Sequence, residues 1–189
     1  MAQKVAHTTE VMVAGMGGQG LLTTGKLLAE AAMARYKHVL YFPNYGPMMR
    51  GGESECTITL SDEVIGSHAT YHPQTAIVMG PEAFTQFQGR IKPGGTLFVD
   101  SSVIAAEVER KDITAYYIPA TALAMEMGGK QVANLILLGA FAEATGAVPL
   151  ELIENAIERK MKGSRGEALL ELNKKALREG ARQVAGARG

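Results

Sequence analysis

The sequence predicts an α/β fold, doubly wound around a mostly parallel sheet, with a β-hairpin excursion near residues 54–66 and a helical C-terminal part. Three observations lead there. A short apolar run, a glycine-rich turn and a helix-forming stretch follow one another near the start. Further short apolar runs recur with turn residues between them, and from Ala120 onward the pattern is helical.

Thr8 to Ala14 carries Val11, Met12 and Val13, the mark of a buried strand. Gly15-Met16-Gly17-Gly18-Gln19-Gly20 turns the chain into a helix expected from Leu21 to Arg35, with Leu21, Leu28, Ala31 and Ala32 on one stripe. Val39 to Phe42 is the next strand, ended by Pro43-Asn44-Tyr45-Gly46-Pro47. Strand, helix and strand in this order form a βαβ unit with a right-handed crossover. Pro47 to Gly52 is a loop, and Glu53 to Leu60 a strand with β formers from Cys56 onward. Val64-Ile65 is expected to pair back on it after the turn Ser61-Asp62-Glu63.

Thr75 to Met79 is a buried strand, Pro81 opens a short helix through Gln88, and Pro93-Gly94-Gly95 turns into the strand Thr96 to Val99. Ile113 to Ile118 is the last strand. Gln131 to Ala144 is apolar nearly all round and should be buried on most faces. Pro149 fits the first turn of a helix bearing Leu150, Ile153 and Ile157. After Gly163-Ser164-Arg165-Gly166, a final helix runs from Glu167 to about Gln183. It aligns Leu169, Leu172 and Ala176, points Lys174, Lys175 and Arg178 outward, and leaves a frayed tail from Ala185.

Composition removes several function classes. Of 189 residues, 47% are hydrophobic and 20% charged, which suits a packed core. Nineteen basic and nineteen acidic residues cancel, so no basic excess invites nucleic acid or an anionic membrane. No apolar run is long enough for a membrane helix, and the N-terminus lacks a secretory pattern. The single Cys56 forms no internal disulfide and fits a reducing, cytoplasmic setting. One Cys and four scattered His (His7, His38, His68, His72) supply neither an iron–sulfur nor a structural zinc site. His68 and His72 lie four apart, but Pro73 argues for a loop between them and the next strand.

Gly15, Gly17 and Gly20 satisfy G-x-G-x-x-G between a strand and a helix. Glycines there let a ligand approach first-turn N–H groups, where the helix dipole favours an anion. Close helix–strand packing is the lesser alternative use of these glycines. A dinucleotide site also needs an acid at the end of the second strand, and no acid appears before Glu53, so NAD is disfavoured. Gly20-x4-Gly25-Lys26 is close to a phosphate-binding loop. Leu27 replaces the magnesium-binding hydroxyl, and Lys26 falls in mid-helix. A second constellation, Tyr45-Gly46-Pro47-Met48-Met49-Arg50-Gly51-Gly52, follows a strand end, where loops of a parallel sheet line a crevice. Arg50 offers a fork for a carboxylate or phosphate, and by composition the segment is equally a surface turn. Met48 and Met49 are either adaptable contact residues or plugs in the crevice floor.

GMGGQGLLTTGKLLAEAA (Gly15 to Ala32) followed by YGPMMRGGESECTITLSDEVIGS (Tyr45 to Ser67) resembles the gamma subunit of 2-oxoacid:ferredoxin (acceptor) oxidoreductases, closest to the 2-oxoglutarate type. The resemblance covers most of the chain and makes residues 1–189 a single gamma-type domain. It implies a complex that oxidatively decarboxylates a 2-oxoacid on thiamine diphosphate, passes electrons through iron–sulfur clusters to ferredoxin and gives the acyl group to coenzyme A. Thiamine diphosphate and magnesium would sit between alpha and beta subunits, and clusters could sit on a delta chain. This sequence lacks the Gly-Asp-Gly pattern for thiamine and the cluster cysteines.

The resemblance leaves this chain with assembly and a contact to coenzyme A. The expected binding residues are Gly15, Gly17, Gly18, Gln19, Gly20, Tyr45, Gly46, Arg50, Gly51 and Gly52. It departs from the family at Met48, where many relatives carry an acid, which leaves pyruvate and branched-chain 2-oxoacids open. A stand-alone anion-binding regulatory module is the alternative. An apolar partner surface would also let the chain pair with itself in isolation.

Overall fold

A computed structural model describes residues 8–45, 52–66, 71–161 and 167–187. In chain order the elements are β1 (Thr9–Met16), α1 (Leu21–Ala32), β2 (His38–Tyr45), β3 (Glu53–Ser61), β4 (Thr75–Val78), α2 (Pro81–Gln88), β5 (Thr96–Asp100) and β6 (Thr114–Ile118). They are followed by α3 (Ala120–Glu126), a 3-10 turn (Lys130–Val132), α4 (Ala133–Thr145), α5 (Leu150–Met161) and α6 (Glu167–Ala187).

The six strands form one sheet in the order β2-β3-β1-β4-β5-β6. β1, β4, β5 and β6 are joined by parallel pairings, whereas β3 runs antiparallel to both β1 and β2. β1 and β2 therefore point the same way, as the βαβ pattern requires, but β3 is inserted between them. The expected hairpin is corrected accordingly: β3 pairs back on β2, and Val64-Ile65 belongs to no strand. β2 also continues past Pro43 to Tyr45, with Pro43 opposite Cys56. It is the edge strand, the place where a missing N–H is tolerated in a sheet.

Alternation along β1 sends Val11 and Val13 to one face and Met12 and Ala14 to the other. The first face packs against α1, α3, α4, α5 and α6, and the second against α2 through Ala83, Phe84 and Phe87. Every residue of α4 from Ala133 to Ala142 is buried, as its all-round apolar pattern predicts. α4 crosses α6 at backbone contact. A Cβ on Gly139 would fall on the Leu177 carbonyl, and one on Gly180 on the Ile136 carbonyl.

Three helix details depart from expectation. α1 ends at Ala32 because Ala34 and Arg35 donate to the Ala31 and Ala32 carbonyls, three residues back, which tightens the last turn. Arg35 and Tyr36 then reach the carbonyls of Gly146 and Ala147. α6 runs to Ala187 because Val184, fully buried, keeps its last turns packed. Its buried stripe is Ala176, Leu177, Ala181 and Val184, while Leu169 is exposed. Lys174 turns toward α5 to pair with Glu158, and Arg178 pairs with Glu154.

Candidate functional site

In a doubly wound sheet the ligand crevice lies outside the carboxyl ends of strands, where successive helices leave on opposite faces. Here that point falls between β1 and β4, since α1 covers one face and α2 the other. The glycine turn sits in it. Gly18 (φ 100°) and Gly20 (φ 76°) hold left-handed backbone that L side chains rarely adopt, and Gly20 leads directly into α1.

The turn is braced by its own groups. The Gln19 carboxamide accepts the Met16 N–H at 2.7 Å and donates to the Met79 carbonyl at 2.8 Å, tying the ends of β1 and β4 together. A Cβ on Gly15 would collide with Oε1 of Gln19, so the first glycine makes room for this side chain. The Gly20 carbonyl accepts from Thr24 N–H at 2.9 Å, Thr24 Oγ1 at 3.1 Å and Asn134 Nδ2 at 3.2 Å. The N–H groups of Leu21, Leu22 and Thr23 have no hydrogen-bond partner among the described residues, as the first turn of a helix leaves them.

The second motif arrives at the same end. Gly17 N–H donates to the Gly52 carbonyl at 2.9 Å. Gly15 lies opposite Ser54, and Ser54 opposite Tyr45, so the last residues of β1, the first of β3 and the end of β2 form one row across the sheet. Gly46, Arg50 and Gly51, with Met48 and Met49, lie outside the described residues. The strand side of the crevice is acidic. Glu53 and Glu55 stand opposite Met16 and Ala14, Glu55 accepts from Asn44 Nδ2 at 2.9 Å, and Glu82 lies in the first turn of α2. An anion would therefore be favoured on the α1 side of the turn and opposed on the other.

Other groups behave as supports. Lys26 lies in the middle of α1, turned to solvent beside Glu30. Asp100, fully buried at the end of β5, accepts from Ser102 N–H at 3.1 Å, Thr121 N–H at 3.2 Å and Thr121 Oγ1 at 2.6 Å. It caps α3, whose own cap residue, Pro119, provides no side-chain bond. Cys56 is fully buried against the Leu21 carbonyl. Burial, then the neighbouring Glu55 charge, pushes its thiol up to about 12, against a smaller opposing effect of a backbone hydrogen bond at Gly25. A nucleophilic thiolate is thereby suppressed. His68 lies outside the described residues, and the His72 ring sits 3.1 Å from the Arg90 carbonyl. Among the described residues no group of three or more His, Cys, Asp or Glu is placed to hold a metal, and no helix is long and apolar enough to cross a membrane.

Met79 and Asn134 were not among the residues expected from sequence. Asn134 had a signal, as a polar residue opening an apolar helix. Met79 acts through its backbone and had none.

A glycine turn braced at the switch point and hydrogen-bonded there to Gly52 defines a doubly wound α/β protein with a candidate anion crevice. The chain belongs to the pyruvate ferredoxin/flavodoxin oxidoreductase family, whose pattern it matches over residues 10–183. It is 34% identical over 159 residues to the 2-oxoglutarate synthase subunit KorC of Methanothermobacter marburgensis, covering 80% of this chain and 86% of that one. It is 33% identical over 173 residues to the ketoisovalerate oxidoreductase subunit VorA of the same organism, covering 90% of this chain but 35% of VorA, so it spans about a third of that longer relative. The crystal structure of the keto/oxoacid ferredoxin oxidoreductase gamma subunit from Geobacter sulfurreducens superposes with a TM-score of 0.79 at 29% identity, covering 94% of this chain and 99% of that one.

Proposed function

We propose that this chain is the gamma subunit of a cytoplasmic 2-oxoglutarate:ferredoxin oxidoreductase, folded as one domain. In this reading it assembles with alpha and beta chains, and with a delta chain where one exists. Those partners hold thiamine diphosphate, magnesium and the iron–sulfur clusters and deliver electrons to ferredoxin. The name of the KorC relative supports the choice of 2-oxoglutarate, and that match covers 80% of this chain and 86% of KorC.

The observation that carries the reading is the Gly17–Gly52 hydrogen bond, which joins the two motifs at one sheet end. Coenzyme A is the ligand proposed for that crevice. The Gln19 brace takes up the strand-side N–H of Met16, so a phosphate would meet the first-turn N–H groups of Leu21, Leu22 and Thr23, with Arg50 as the charged contact. When bound, coenzyme A supplies the thiol that accepts the acyl group.

The test is reconstitution. Co-expression with the thiamine-binding and cluster-binding chains should give 2-oxoglutarate-dependent, coenzyme A-dependent reduction of ferredoxin, and the isolated chain none. Calorimetric titration of coenzyme A into the complex should show weaker binding for Arg50→Ala. Equal affinities would remove Arg50 from the site.

A further inference from the structure

β6 ends the sheet on the side opposite β2 and is paired with β5 alone. Its ladder fixes which backbone groups are left outside. Thr114 N–H donates to the Gly95 carbonyl at 2.9 Å, and the Ile118 carbonyl accepts from Ser101 N–H at 2.9 Å. Backbone direction alternates along a strand, so Thr114, Tyr116 and Ile118 face β5, while Ala115 and Tyr117 turn their N–H and carbonyl groups away from the sheet. These two donors and two acceptors have no partner among the described residues. Tyr117 is 41% exposed, and the loop before the strand engages its ring hydroxyl through Val108 N–H at 2.7 Å.

The two edges of the sheet are guarded differently. β2 carries Pro43, which has no N–H to offer a further strand. β6 reads Thr-Ala-Tyr-Tyr-Ile, with neither the proline nor the charge that keeps an edge from pairing. Its open groups are also self-matching, because Ala115 and Tyr117 stand symmetrically about Tyr116. An antiparallel copy that sets each Ala115 opposite the other chain's Tyr117 pairs all the outward groups of both strands about one two-fold axis. Tyr116 then meets its own copy as a non-hydrogen-bonded pair, the closer kind, in which aromatic side chains touch across strands. Its ring is held ready, stacked on Phe98 with centroids 5.2 Å apart. Electrostatics permit the approach, since the strand is uncharged and the formal net charge of the chain at pH 7 is zero.

We infer that β6 is a self-association edge, across which two copies of this chain join their sheets into one. The joint lies two strands beyond β4, so the inference stands apart from the crevice proposed for coenzyme A. Sedimentation equilibrium of the full chain should show monomer and dimer in exchange. Hydrogen exchange should show the Ala115 and Tyr117 amides gaining protection as concentration rises. Ala115→Pro removes an outward N–H at a position where an edge strand tolerates proline. Tyr117→Lys adds a charge of the kind that guards natural edges. Each variant should weaken the dimer roughly tenfold or more while keeping the circular dichroism and cooperative melting of the wild type. Three results would each overturn the inference: a wild type that stays monomeric up to about 1 mM, a dimer that both variants leave unchanged, or a dimer in which neither amide gains protection.

Discussion

Gln19 and Met79, sixty residues apart, are joined by a 2.8 Å hydrogen bond from the Gln19 carboxamide to the Met79 carbonyl. The same carboxamide accepts the Met16 N–H, so one side chain closes the strand side of the glycine turn and fixes the spacing of β1 and β4 there. Gln19→Ala should cost about 1–2 kcal/mol of stability, the net worth of two hydrogen bonds. Urea unfolding of the isolated chain measures this, and an unchanged midpoint would mean that the brace contributes nothing.

The close crossing of α4 and α6 reverses the usual effect of removing a helical glycine. At an exposed helix position Gly→Ala stabilises by roughly 1 kcal/mol. At Gly180 the new methyl would fall on the Ile136 carbonyl, so the helices must separate. Gly180→Ala should therefore destabilise by about 1–3 kcal/mol, read as a lowered Tm.

Asp100 gives a third prediction. Its two oxygens serve two backbone N–H groups and one hydroxyl without exposure to water. Asp100→Ala leaves those donors unsatisfied and should cost about 2–4 kcal/mol. Asp100→Asn, which keeps one acceptor oxygen, should cost less. Denaturant titration of the pair separates the outcomes, and equal losses would contradict the capping role.

Cys56 makes stability depend on alkaline pH. Its thiol ionises near 9.0 in the ordinary case and at about 12 in the folded chain, so the folded state holds the proton longer. The stability this contributes is complete below pH 9.0 and is lost as pH rises toward about 12. As pH rises from 9.0 toward about 12 the wild type should lose stability more steeply than Cys56→Ala. Parallel slopes would show that the thiol ionises alike in both states.

Much of this was legible in the sequence. Short apolar runs located β1, β4 and β5, because a strand buried on both faces has no polar alternation to obscure it. The all-round apolar Ala133–Ala142 stretch announced its own burial. The insertion of β3 between β1 and β2 was hidden, since strand pairing is a non-local choice and Glu53–Ser61 looks the same whichever neighbours it takes. At the site, the glycine spacing was visible but its division of labour was not. Gly15 admits the Gln19 side chain and Gly20 supplies left-handed backbone beside Asn134, roles set by partners sixty or more residues away. The Arg50 contribution falls outside the described residues and rests on the resemblance.

The most direct test of the central claim is ferredoxin reduction with 2-oxoglutarate and coenzyme A, measured for the isolated chain, for the partner chains without it, and for all chains co-expressed. The account predicts turnover only in the complete assembly, with this chain co-purifying in it. Turnover by the isolated chain, or a complex equally active without it, would contradict the account.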